Sequence, residues 1–268
     1  MSLKKKITVR DFYKLKNNGQ KICALTAYDA PTAKLAESAG VHLLLVGDSL
    51  GMTVLGYKNT LPVTLEESLH HCRAVARGVV NSFIVGDMPF MTYHISREQA
   101  LENAAKYLQS AGVDAVKLEG GKKMAPTVDA LVDAGVPVLG HIGLLPQKVL
   151  TSGGYRIAGK TEIEAERLIE DALAIQNAGA FAVVLEGIPA DLAGIITDTI
   201  DIPTIGIGAG PLCSGQIQVV NDILGMFTDF VPKHAKKYAD IGLTIKKAFS
   251  DYVTDVQSEH FPGKEHSF

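Results

Sequence analysis

Acidic residues stand beside glycine at the end of one apolar run after another: Val46-Gly47-Asp48-Ser49, Val85-Gly86-Asp87, Leu118-Glu119-Gly120 and Leu185-Glu186-Gly187. A further run ends in Leu139-Gly140-His141. Brought together, these carboxylates would raise one another's pKa, and a shared proton or a bound cation relieves such repulsion. An all-oxygen donor set suits Mg²⁺ better than zinc, because Mg²⁺ takes few carboxylates and keeps positions for water or substrate. A single Asp at such a place often only caps the next helix. Four cases at equivalent places weigh against that explanation for all of them. Lys117 stands two residues before Glu119, so strand alternation turns both to one side. A buried ammonium there would bind a carboxylate substrate or an enolate oxygen. His141 is a candidate hydrogen-bond donor, with a satisfied structural histidine as the plainer reading.

Two other patterns carry less. Gly206, Gly208 and Gly210 form GxGxG, which resembles a phosphate cradle but matches neither dinucleotide nor P-loop spacing. His70 and His71 are helix neighbours that cannot face one point, which argues against a shared metal.

Positioning such residues requires strands. Short apolar, β-branched runs recur at Ile22 to Ala27, His42 to Gly47, Phe83 to Gly86, Ala115 to Leu118, Pro137 to Gly140, Phe181 to Leu185, Thr204 to Ile207 and Ile217 to Val220. Helical periods lie between most of them, as in Leu101, Ala104, Ala105 and Leu108, or Ala165, Leu168, Ile169, Ala172 and Leu173. Ser96 with Gln99, and Thr161 with Glu164, read as helix starts, and Ala178-Gly179 as a helix end. Strand and helix in alternation mean a parallel sheet. Eight such units, with no dinucleotide fingerprint after the first strand, predict a (β/α)8 barrel rather than an open sheet. In a barrel every strand end opens on one mouth, so residues far apart in sequence meet there. The Gly-rich segments Leu50 to Pro62 and Leu144 to Lys160 follow strand ends, where lids and substrate contacts are built. Val9 to Asn17 predicts a short helix closing the barrel floor.

With 268 residues, 47% of them hydrophobic, the chain suits a single barrel domain over residues 1–268 with a C-terminal helical extension. A net charge of -3 with one basic run, Lys4-Lys5-Lys6, offers no nucleic-acid surface. The polar stretch Arg10 to Gln20 after that run argues against a signal peptide, and no apolar run approaches the ~20 residues of a membrane span. Cys23, Cys72 and Cys213 form no CxxC pair, which fits a reducing cytoplasm.

Longer words narrow the reading. TAYDAPTAKLAESAG at 26–40, LVGDSLGMTVLGY at 45–57, TLPVTLEE at 60–67, GDMPFMTY at 86–93, KLEGG at 117–121, GHIGLLPQ at 140–147, GGYRIAGK at 153–160, VLEGIP at 184–189, IPTIGIGAG at 202–210 and the terminal FPGKEHSF run nearly end to end. In these words the chain resembles the ketopantoate (3-methyl-2-oxobutanoate) hydroxymethyltransferases. One departure lies at CSGQIQV, 213–219, where the resemblance leads one to expect Asp for Ser214 and an apolar residue for Gln218.

The resemblance implies a TIM-type barrel of the phosphoenolpyruvate/pyruvate-like superfamily. It implies transfer of a hydroxymethyl group from 5,10-methylene-tetrahydrofolate to 3-methyl-2-oxobutanoate, giving ketopantoate for pantothenate and coenzyme A synthesis. By matching motif it assigns one Mg²⁺ per subunit to Asp48, Asp87 and Glu119, oxo-acid contacts to Asp48, Ser49, Asp87 and Lys117, and the proton acceptor to Glu186. A cytoplasmic homo-oligomer, often a decamer, is implied as well, with 261–268 available for subunit contacts. The competing expectation is a Mg²⁺-dependent carbon-carbon lyase or mutase acting on a 2-oxo acid.

Overall fold

Eight strands form where the apolar runs lie: β1 (Ile22–Thr26), β2 (Leu43–Val46), β3 (Phe83–Asp87), β4 (Ala115–Lys117), β5 (Val138–Gly143), β6 (Ala182–Glu186), β7 (Thr204–Ile207) and β8 (Gly215–Gln218). Each pairs in parallel with the next, and β8 returns to β1, closing the barrel. The computed structural model describes residues 5–227 and 232–268; Lys4 of the basic run lies outside them. The chain divides into two compact units, residues 1–218 and 219–268. The first holds the barrel with α1 (Val9–Asn17), α2 (Ala30–Ser38), the short α3 (Leu50–Thr53), α4 (Leu65–Gly78), α5 (Arg97–Ala105), α6 (Ala125–Asp133), α7 (Glu162–Asn177) and α8 (Ala190–Thr199). The second holds α9 (Val220–Ile223) and α10 (Ile241–Gln257).

Strand alternation decides what fills the lumen. Ile22 and Ala24, Leu43 and Leu45, Phe83 and Val85, Ala115, Leu139, Ala182 and Val184, Ile205 and Ile207, and Ile217 form one buried cluster. Phe12 of α1 closes it from below, its ring centroid 5.2 Å from Phe83 and 5.7 Å from Phe181. This is the floor helix that the sequence predicts, over the same residues. Continuing the inward parity upward gives Asp87 after Val85, Lys117 and Glu119 after Ala115, His141 after Leu139, and Glu186 after Val184. The period that builds the apolar floor thus also aims five polar side chains at the mouth.

Three expectations shift. The last strand is Gly215–Gln218, two residues before the apolar run at Ile217 to Val220. Gly215 pairs with both Ile22 and Ile205, and a Cβ on it would lie 2.5 Å from the Ile22 carbonyl oxygen. Close backbone approach therefore sets the register, and Val220 opens α9 instead. The fifth strand runs on to Gly143, so His141 sits within it rather than at its end. On α5 the buried face is Ala100, Asn103 and Ala104, continued by Tyr107 in the following π-helical turn, not the stripe through Leu101 and Leu108. Tyr107 wins that place because its ring fits against Gly86, where a Cβ would come within 2.4 Å. The start at Thr161 forms as predicted, with a reciprocal capping box to Glu164, and Gly179 ends that helix at φ +87°.

Candidate active site

Asp48, Asp87, Lys117, Glu119 and His141 are all buried at the C-terminal mouth, none more than 4% exposed. Lys117 Nζ donates to Asp87 Oδ1 at 2.7 Å, and the backbone N–H of Asp48 donates to Asp87 Oδ2 at 3.0 Å. The Tyr107 hydroxyl, 2.8 Å from the Asp87 carbonyl oxygen, and Ser68 Oγ at 3.1 Å hold the end of β3. Ser49 follows Asp48 as α3 begins, and its hydroxyl lies 2.9 Å from that of Tyr28. Glu186 stands across the mouth with its side chain 22% exposed, more open than His141 beside it at 2%. His141 lies between two carboxylates, Nδ1 at 3.6 Å from Glu119 Oε1 and Nε2 at 3.3 Å from Glu186 Oε2. These distances pair charge without meeting hydrogen-bond geometry.

Burial dominates the electrostatics. It pushes Asp48 well above the usual carboxylate range, helped by the charges of Asp87 and Glu119. It pushes Asp87 up as well, opposed by Lys117 at 2.7 Å. Asp48 has no cation within ion-pair distance among the described residues, and Lys117 and the Gln147 amide only partly oppose the rise. Burial alone would lower Lys117, yet Asp87, Glu119 and Asp48 outweigh it and raise that ammonium. Burial would likewise raise Glu119, but His141, Lys117 and the Gln147 N–H lower it. His141 is raised to about 9, because Glu119 and Glu186 overcome burial and the charge of Lys117.

Two residues at the centre carried no signal that strand-end reading could weigh. Gln147, 4% exposed, donates from Nε2 to Asp48 Oδ2 at 3.0 Å and from its backbone to Glu119 Oε2 at 3.1 Å. Tyr93, 1% exposed, donates to Gln147 Oε1 at 2.7 Å. Both come from loops, where no periodicity says which way a side chain turns. Their one trace in the sequence is that they end the words GDMPFMTY and GHIGLLPQ.

The weaker patterns resolve as structure. Gly206 leaves room for Cys213 Sγ, 2.9 Å from where a Cβ would be, and Gly210 for Ala190, at 2.4 Å. His71 Nδ1 lies 2.7 Å from the Tyr28 carbonyl oxygen, while His70 is exposed. The two Gly-rich loops meet, as Tyr155 Oη and Met52 Sδ are 3.6 Å apart.

Donor chemistry can be tested against a hard cation. The Asp48 backbone N–H donates to the Asp87 carboxylate, and Glu119 Oε1 is buried with no hydrogen-bond partner. Among the described residues no three His, Cys, Asp or Glu side chains form a ready-made ligand cluster. Such a set fits Mg²⁺, which takes one or two carboxylates directly and completes its shell with water and substrate.

A family model described as ketopantoate hydroxymethyltransferase matches residues 6–264. The chain belongs to this family. A 3-methyl-2-oxobutanoate hydroxymethyltransferase of Heliobacterium modesticaldum is 53% identical over 264 residues, covering 98% of this chain and 96% of its own. One of Dehalococcoides mccartyi is 56% identical over 261 residues, covering 97% and 93%. Among solved structures, a phosphonopyruvate hydrolase complexed with oxalate and Mg²⁺ has a TM-score of 0.62 at 13% identity, over 96% of this chain and 92% of that one. A 2,3-dimethylmalate lyase of the PEP mutase/isocitrate lyase superfamily has 0.61 at 17%, over 97% and 91%. At such identities these two likenesses speak for the barrel fold alone. Ketopantoate hydroxymethyltransferases are enzymes, and the mouth carboxylates are this member's candidate machinery.

Proposed function

We propose that the chain transfers a hydroxymethyl group from 5,10-methylene-tetrahydrofolate to 3-methyl-2-oxobutanoate, forming ketopantoate in the synthesis of pantothenate and coenzyme A. The observation that carries this reading is the buried Asp48, Asp87, Lys117 and Glu119 cluster in a member of that family. Asp48, Asp87 and Glu119 would hold Mg²⁺. When bound, the cation supplies a Lewis acid to the oxo and carboxylate oxygens of the substrate.

The chain's own groups divide the remaining work. Lys117 pairs with Asp87 and orients it, and its ammonium binds substrate charge together with Ser49 Oγ. Glu186 takes the proton from C3 of the oxo acid, from the open side of the mouth. His141, raised by Glu119 and Glu186 on either side, pairs its charge with both carboxylates. Water hydrolyses both C–N bonds of the folate's methylene group, releasing tetrahydrofolate and leaving that carbon as formaldehyde. The carbanion adds to it, and the oxygen that came from water takes up the proton and becomes the new hydroxyl.

This work is cytoplasmic and belongs to a homo-oligomer, with a decamer expected. One feature supports the oligomer: α10 buries none of its side chains. Sedimentation tests the oligomer. Product analysis tests the reaction: ketopantoate should form from the oxo acid only when Mg²⁺ and methylene-tetrahydrofolate are both present. A product released from a 2-oxo acid without folate would favour the lyase or mutase instead.

A further inference from the structure

Gln147 sits in the 3-10 turn Pro146–Lys148 that opens the Gly-rich loop after β5, yet its side chain reaches into the carboxylate cluster. Its hydrogen bonds determine its orientation. The Glu119 backbone N–H donates to the Tyr93 oxygen at 3.1 Å, so the Tyr93 proton is free to go to Gln147 Oε1 at 2.7 Å. Oε1 is thereby the acceptor end of the amide. Nε2 spends its two protons on Asp48 Oδ2 and on the Met88 carbonyl oxygen, both at 3.0 Å. The backbone N–H, donating to Glu119 Oε2 at 3.1 Å, adds a fourth tie. One residue thus spans the ends of β2, β3 and β4.

The amide type matters at this position. A Lys or Arg would fix Asp48 equally well, but its charge would compete with any cation. A Glu would add another buried carboxylate and offer no donor. Only a neutral donor orients Asp48 and leaves the site's negative charge for a metal.

We infer that Gln147, locked by Tyr93, is a positioning residue that presets Asp48 and Glu119 for divalent-cation binding and anchors the root of the 144–160 loop to the metal site. The inference rests on the reading that Asp48 and Asp87 hold the cation. Removing the amide lets Asp48 rotate, so affinity falls while the barrel stands.

Mn²⁺ titration of the full-length protein, followed by electron paramagnetic resonance without either substrate, tests this. Gln147→Leu should weaken Mn²⁺ roughly 10- to 100-fold, the usual range for losing a group that orients a ligand. Tyr93→Phe should weaken it less, and the double variant should fall short of the product of the two single effects, because both act through one amide. Mn²⁺ affinity unchanged in folded Gln147→Leu, or fully multiplicative effects, would overturn the inference; a purely structural role would lower thermal stability and leave affinity alone. Should Gln147→Leu fail to fold, unchanged affinity in Tyr93→Phe overturns it equally. Wild-type protein that binds no Mn²⁺ would instead overturn the metal reading beneath it.

Discussion

The buried pair Lys117 and Asp87 sets the conditions for everything else in the mouth. At 2.7 Å and with neither side chain more than 5% exposed, each is tolerable only because of the other. Lys117→Met should therefore cost about 3–5 kcal/mol of stability, the range for leaving one partner of a buried pair uncompensated, as well as abolishing turnover. Urea denaturation checks the first, and Asp87→Asn in the Lys117→Met background should recover part of it. Much at this scale was legible beforehand. Asp87, Lys117, Glu119 and Glu186 announce themselves because they continue an apolar strand period, and a charge at such a position needs a reason. Gln147 and Tyr93 do not, because a neutral side chain in an irregular loop breaks no pattern, and its importance lies in hydrogen bonds across 26 to 99 residues of chain.

Elements hold the mouth by small devices spread over the barrel. Phe12 is a helix residue serving as floor, against Phe83 and Phe181. Phe12→Ala should destabilise by about 3–5 kcal/mol, as for other fully buried aromatics, which thermal or urea unfolding measures. Glu37 of α2 acts differently: its Oε2 accepts the backbone N–H groups of Val80, Asn81 and Ser82 at 3.0, 2.6 and 2.7 Å, fixing the entry to β3. Burial would raise this carboxyl, but the three donors prevail and lower it. A lowered folded pKa means the stabilisation is complete above the unfolded value and is lost as pH falls through the folded one. Glu37→Gln should then cost roughly 1–3 kcal/mol at neutral pH and flatten the acid limb of the stability curve below about pH 5. Strand order and helix starts were legible because periodicity and capping are local. The start of β8 was not, because the approach of Gly215 to Ile22 and Ile205 outweighs the apolar run that follows it.

For the whole molecule, barrel closure is what makes a site out of residues far apart in sequence, since Asp48 follows β2 and Glu186 ends β6 on another part of the wall. A cation bound only by the folded mouth stabilises the fold by mass action. At a free Mg²⁺ concentration about 100 times its dissociation constant the gain is about 2.7 kcal/mol, a rise of roughly 5–10 °C in Tm. Calorimetry should show that rise, its reversal by EDTA, and its absence in Asp48→Ala and Asp87→Ala. The fold class was open to sequence reading because eight strand-helix units leave few topologies; the substrate's identity was not, because pattern yields only an acidic mouth, and it entered through resemblance and family membership. The central claim is that this mouth removes the C3 proton of the oxo acid, with Glu186 as the base. Its most direct test is hydrogen exchange at C3 of 3-methyl-2-oxobutanoate in deuterated water, with enzyme and Mg²⁺ but no folate, followed by NMR. Wild type should exchange and Glu186→Gln should not, while still binding the oxo acid. No exchange by wild type under conditions that support turnover, or exchange retained in Glu186→Gln, would contradict the account.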